Sequence, residues 1–189
     1  MQKRFWRCHV CNDIHYGVYA PEFCPTCGKR NAFVLCDRGE AVRLLEGLKG
    51  KEVWRCGECG DMHLGAKPLA ICPSCASGDR YLSSGMEEMM RSIEAVDYAI
   101  DTSPEVIKAW HEFAERNGTI KVWEESDSVL RLSVGVLENM KNKGLKYCPC
   151  RITTGDQDKD LKLICPCNFL AQQTWKEFGE CWCGLFVKR

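Results

Sequence analysis

Displaced by 48 positions, the chain aligns with itself: "WRCHVCNDIHYGVYAPEFCPTC" at residues 6–27 lies over "WRCGECGDMHLGAKPLAICPSC" at 54–75, and ten of the 22 positions are identical. The shared residues include the tryptophan, the arginine, four cysteines, an aspartate, a histidine, a glycine and a proline. Each copy therefore reads C-x2-C-x12-C-x2-C, through Cys8, Cys11, Cys24 and Cys27 in the first and Cys56, Cys59, Cys72 and Cys75 in the second. Two residues between thiolates let a tight turn aim both sulfurs at one ion, and two such turns close a tetrahedral site. A stretch of roughly 35 residues buries too little surface to fold unaided, so the binding energy of the ion must help fold each copy. The spacing predicts two small β-rich metal ribbons, residues 1–40 and 51–84, joined by a charged connector at 41–50.

The 189 residues carry 26 basic and 26 acidic side chains, a balance that gives no support to a nucleic-acid or membrane role. No apolar stretch follows the basic start "MQKRFWRCHV" and none approaches 18 residues, so the expectation is a cytoplasmic protein. In that compartment thiols stay reduced, and 15 cysteines in regular clusters read as metal ligands and redox groups rather than as a disulfide framework. Iron or zinc both suit the ribbons. Flanking Trp6, Tyr16 and Trp54 and the "CPTCG" turn favour iron, whereas C-P-x-C-G also occurs in zinc ribbons. With four thiolates at each ion, His15 and His63 are expected to pack around the sites rather than to ligate, and Cys36 to be a buried small side chain.

After Gly85 the apolar residues adopt the helical period. Met86, Met89, Met90, Ile93, Val96 and Ile100 mark a first helix. A second opens at Ser103-Pro104, turns Val106, Ile107, Trp110 and Ala114 inward and stops at Gly118. A third, from Ser126 to Lys143, carries Val129, Leu130, Val134, Leu137 and Met140 as its expected inner stripe. An all-α domain over 85–189 is the expectation.

That domain ends in six cysteines at a tighter spacing: Cys148-Pro149-Cys150, Cys165-Pro166-Cys167 and Cys181-Trp182-Cys183. One intervening residue separates two sulfurs by up to about 7 Å along an extended segment, awkward for one ion but suited to a larger object or to different tasks for the two sulfurs. A 4Fe-4S cluster takes four thiolates and would leave two, enough for one dithiol or disulfide. One tetrahedral zinc would also leave two, without accounting for three paired spacings.

Three ordered C-x-C pairs, with "HEFAERNG" and the helix before "LKYCPC" upstream, resemble the catalytic (β) subunit of ferredoxin-thioredoxin reductase, whose signature is CPC, CPC and CHC. The fused ribbons resemble those of ferredoxin:disulfide reductase relatives, and the repeats resemble the rubredoxin-like module of rubrerythrins. The resemblance implies that Cys148, Cys165, Cys167 and Cys181 bind the 4Fe-4S cluster, while Cys150 and Cys183 form the active-site disulfide, Cys150 as the exposed nucleophile. It implies electrons taken one at a time from ferredoxin and passed to a thioredoxin-like protein's disulfide; no G-x-G-x-x-G stretch offers a flavin site instead. Trp182 departs from the signature, since an indole cannot exchange protons as histidine does. His111 is a distant alternative proton source, more simply a surface or packed histidine. The intervals of 14 and 13 residues between pairs also differ from the plant enzyme's, so the rim facing a substrate should have its own shape. Two other readings of the residues stand beside this one: a non-catalytic zinc-ribbon adaptor, and a simple electron carrier whose spare thiols are incidental.

Overall fold

A computed structural model describes residues 2–48, 50–96 and 99–189. The chain divides into two compact units, Met1–Ala99 and Ile100–Arg189.

In the first unit the repeat is structural throughout. Strands β1 (Arg4–Cys8), β2 (Ile14–Gly17) and β3 (Phe33–Cys36) lead into helix α1 (Arg38–Gly47); β4 (Glu52–Cys56), β5 (Met62–Gly65) and β6 (Tyr81–Ser84) lead into α2 (Met86–Glu94). Each copy is thus three strands and a helix. The copies are not separate ribbons: β2 pairs antiparallel with β5, and one six-stranded sheet runs β3-β1-β2-β5-β4-β6. Pairing the inner strands removes two exposed edges and lets both copies share a core, with Phe5, Ile14, Phe33, Leu44, Met62, Leu64, Met89 and Ile93 all fully buried. Cys36 is buried on β3, as expected of a small apolar side chain.

Helix α1 occupies the connector expected at 41–50. Asp37 caps it, its carboxylate accepting from the Glu40 N–H. Helix α2 packs on α1 and β4, so the helix expected to open the carboxyl-terminal domain lies with the first unit, and the division falls after Ala99 rather than before Gly85. A matching arginine ties each helix to its sheet. Arg7 meets Glu40 at 2.6 Å with both side chains buried, and Arg55 meets Glu88 at 2.8 Å at the surface.

In the second unit, α3 (Ser103–Asn117) starts in a capping box, where the Thr102 side chain and the Glu105 carboxylate satisfy each other's backbone. Gly118 ends it in the left-handed conformation that glycine adopts without cost. Strand β7 (Ile120–Val122), helix α4 (Ser126–Lys143), the short helices α5 (Gln157–Asp160) and α6 (Gln173–Phe178) and strand β8 (Phe186–Lys188) follow. The unit is therefore not all-α, because β7 and β8 form a two-stranded antiparallel sheet. No helix among the described residues is long and apolar enough to cross a membrane.

The stripe expected on α4 also differs. Val129, Ser133 and Val136 are buried, whereas Leu130 and Val134 are 48% and 44% exposed.

The two arginines differ in surroundings but not in role, which sets up a paired test. Arg7→Ala leaves the Glu40 carboxylate buried without its guanidinium and should cost about 3–5 kcal/mol. Arg55→Ala, at an exposed pair, should cost about 0–1 kcal/mol. Denaturant titration of the metal-loaded protein reads both.

Candidate metal and thiol centres

Each four-cysteine set is carried on two backbone knuckles. In the first copy the Asn12 N–H donates to the Cys8 carbonyl at 2.9 Å and the Gly28 N–H to the Cys24 carbonyl at 2.8 Å; Gly60 and Ala76 do the same for Cys56 and Cys72. All four closing residues take positive φ, between 59° and 72°, a conformation natural to glycine and asparagine and costly for Ala76. The knuckles converge. In each set the four sulfurs lie within 4.8 Å of one another. Cys8 and Cys27 are 3.7 Å apart and Cys11 and Cys24 3.5 Å; Cys56 and Cys75 are 3.8 Å apart and Cys59 and Cys72 3.5 Å. A tetrahedron with metal–sulfur bonds of about 2.3 Å has edges of about 3.8 Å, so both sets fit one tetrathiolate-bound ion.

Beside these sulfurs lie two carboxylates. Asp13 Oδ2 is 3.3 Å from Cys24 Sγ, and Asp61 Oδ2 is 3.6 Å from Cys72 Sγ. Both carboxylates are fully buried. Burial alone would push Asp13 up; His63 and Lys51 outweigh it and hold the carboxyl at about 2. Asp61 is likewise held down against its burial, by His15, Ser74 and Lys3. Burial lowers His15 to about 4, partly offset by Asp61. His15 and His63 stand outside both four-sulfur groups, and their place beside the aspartates is taken up below.

The six carboxyl-terminal cysteines sit on three crossing segments. The Cys148 N–H donates to Leu163 O and the Cys165 N–H to Lys146 O, both at 2.8 Å, which joins the first two pairs through the Tyr147–Ile164 bridge. The Cys181 N–H donates to Phe186 O at 2.8 Å, and Phe186 N–H reaches back to Cys181 Sγ at 3.3 Å. Aromatic side chains anchor these segments to α3. Phe169, following Cys167, stacks on Phe186 at 5.4 Å, and Phe113 of α3 meets both edge-on. Gln172 links the second and third pairs. Its amide donates to Cys167 Sγ at 3.2 Å and accepts the Trp182 N–H at 2.8 Å.

Gly135 on α4 faces the first pair. A Cβ there would stand 2.8 Å from Pro149 Cβ, so only glycine lets the helix lie this close to the Cys148-Pro149-Cys150 turn.

The sulfurs divide unequally. Cys148, Cys150 and Cys183 lie within 4.8 Å of one another, with the shortest approach, 2.8 Å, between Cys148 and Cys183. Cys165, Cys167 and Cys181 stand outside that tight group. Six thiols on this scaffold do not converge in a single group of four as the ribbon sets do. Cys150 is exposed, Cys165 and Cys183 are half-buried, and Cys148, Cys167 and Cys181 are buried. Cys183 draws Cys148 down and holds Cys181 at about 7, while it is itself pushed up by Cys148. Burial pushes Cys150 up, and burial with the thiols of Cys148 and Cys181 pushes Cys167 up to about 12. Cys183 also lines a cavity of about 130 Å³ with Trp123, Leu132 and Glu180.

Trp182 is 56% exposed, and the Arg151 guanidinium lies over its ring at 4.9 Å. Together with Ile152, 88% exposed, it gives the surface near Cys150 an apolar rim. His111 is exposed on α3.

Residues 101–189 match the family model of the ferredoxin thioredoxin reductase catalytic beta chain. Residues 6–33 match that of the rubredoxin-like domain of rubrerythrin. Both are families that the cysteine spacings resemble, and the first match contains all six cysteines of the second unit. No curated protein matches the chain significantly.

Neither Gln172 nor Gly135 stood out in the sequence, since a glutamine pair and a mid-helix glycine carry no spacing signal. Gly135→Ala should destabilise the second unit by about 1–3 kcal/mol through overpacking against Pro149, read as a lowered denaturation midpoint.

Proposed function

We propose that the chain is an iron-sulfur disulfide reductase that takes electrons singly from a ferredoxin-type donor and reduces the disulfide of a thioredoxin-like protein. The observation that carries this reading is the exposed Cys150 thiol held within 4.8 Å of the half-buried Cys183 thiol, in a domain that matches the reductase family. In this reading Cys148, Cys165, Cys167 and Cys181 hold a 4Fe-4S cluster. When bound, it supplies the one-electron chemistry by which two single deliveries accomplish a two-electron reduction.

The chain's own residues do the rest. Cys150 is exposed, whereas Cys183 is half-buried, so the incoming disulfide reaches Cys150 first. Cys150 loses its proton to solvent and attacks one sulfur of the target disulfide as a thiolate; that bond breaks, a mixed disulfide forms, and the other target sulfur leaves as a thiolate that solvent protonates. Cys183 then attacks Cys150, and the Cys150–Cys183 bond forms as the second target sulfur leaves. The target gains two electrons and two protons, and the chain needs two electrons from its donor to open the bond again. Gln172 holds the Cys167 and Cys181–Cys183 segments together, and Arg151 packed on Trp182 shapes the rim that a partner would meet. Proton supply falls to solvent at Cys150, because Trp182 offers none.

The ribbon sites fit iron or zinc by geometry alone. Iron would make them one-electron relays or docking points, and zinc would make them structural. We read the protein as cytoplasmic, where its thiols stay reduced until turnover.

Cys150→Ser should abolish turnover of a thioredoxin disulfide with a reduced ferredoxin while the purified protein keeps the brown colour and iron content of the parent. A colourless Cys150→Ser protein would mean that Cys150 is a cluster ligand and that the assignment of roles is wrong.

A further inference from the structure

The seam between the two repeats connects their metal sites by reciprocal contacts. His15 of the first copy lies 3.6 Å from Asp61 of the second, and His63 of the second lies 3.4 Å from Asp13 of the first. The lysines cross in the same way: Lys3 Nζ is 3.0 Å from Asp61 Oδ1, and Lys51 Nζ is 2.8 Å from Asp13 Oδ1. Each lysine also donates to a backbone carbonyl inside the other copy's first knuckle, Lys3 to Cys59 O at 2.7 Å and Lys51 to Cys11 O at 2.6 Å. The second knuckles cross too, with the Val18 N–H donating to Ser74 Oγ and the Ala66 N–H to Thr26 Oγ1.

The backbone makes room for this. A Cβ on Gly17 would collide with His15 Nε2 and Asp61 Oδ2, and one on Gly65 with His63 Nε2 and Asp13 Oδ2. Both histidines are wholly buried, face each other across β2 and β5 with ring centroids 6.1 Å apart, and have no hydrogen-bond partner at either ring nitrogen. Core packing alone would favour an apolar side chain at such positions, since buried polar groups without hydrogen bonds are costly.

We propose that the two four-cysteine centres are coupled: the carboxylate touching a ligand sulfur at each centre is neutralised by the lysine of the other repeat and packed against that repeat's histidine. Asp13 touches Cys24, so Lys51 and His63 are positioning residues for the first centre; Asp61 touches Cys72, so Lys3 and His15 serve the second. The physical reason is charge. A metal-bound sulfur is a thiolate, and a carboxylate 3.3 to 3.6 Å away repels it in a dry interior unless a cation stands on the carboxylate's other side. The cation comes from across the seam in both cases. Neither repeat completes the surroundings of its own ion, and this holds whether the native metal is iron or zinc and whatever the second unit does.

The test is a crossed pattern of cobalt affinity in the full-length chain. Cys75→Ala, at the exposed ligand of the second centre, leaves the first centre to be read through its tetrathiolate–Co2+ absorption; Cys27→Ala leaves the second. The six carboxyl-terminal cysteines contribute equally to both members of each comparison. With only the first centre intact, Lys51→Met and His63→Leu should weaken Co2+ binding about 10- to 100-fold, whereas Lys3→Met and His15→Leu should change it less than about threefold. With only the second centre intact, the two pairs should exchange effects. A loss that follows the substituted residue's own repeat, equal losses at both centres, or no loss would overturn the proposal. Should the buried histidine variants fail to fold, the lysine variants decide alone, because their side chains reach the surface and leave the core unaltered.

Discussion

Thiolates gathered at one point repel each other, and every fold feature of this chain bears on how that repulsion is contained. Eight cysteines converge in two sets whose sulfur spacings match a tetrahedron around one ion. Six more meet on three short segments of the second unit. Ions or clusters of positive charge would stabilise such gatherings, and their binding would then be coupled to folding. The knuckles, the arginine-anchored helices and the aromatic cluster hold the sulfurs where that charge must sit.

The first unit shows what duplication adds to a metal ribbon. A lone copy would expose the edge of β2 and bury little apolar surface. Pairing β2 with β5 closes that edge and merges two cores, and it also places each repeat's lysine and histidine on the other's aspartate. The second unit achieves its order differently. Phe113, Phe169, Trp175 and Phe186 form one aromatic core, and the chain leaves that core directly into the cysteine pairs. The exposed thiol of Cys150 is thereby carried on a turn fixed from behind by Gly135.

Much of this was legible because metal ligation imposes strict spacing. Both ribbon sets and the three C-x-C pairs announce themselves, and the helices of the second unit follow from periodicity and from stop residues such as Gly118 and Gly144. What escaped depends on contacts between distant segments. The β2–β5 seam leaves no local mark, although the aspartate shared by both copies was visible in the alignment and Lys3 and Lys51 also stand 48 positions apart. Helix α2 reads as the start of a new domain because its apolar face resembles those of α3 and α4, yet it packs on α1. Periodicity placed Leu130 and Val134 on the inner face of α4, whereas the buried face is the one with Val129, Ser133 and Val136. Strands β7 and β8 are three residues each, too short to show an alternating pattern.

The division of labour among the six carboxyl-terminal sulfurs is what the proposed chemistry stands on, and anomalous diffraction at the iron edge addresses it most directly. The expected result is a compact four-iron peak bounded by Cys148, Cys165, Cys167 and Cys181, with the Cys150 sulfur outside the iron coordination. Iron density bonded to Cys150, or no iron at that end of the chain, would contradict it.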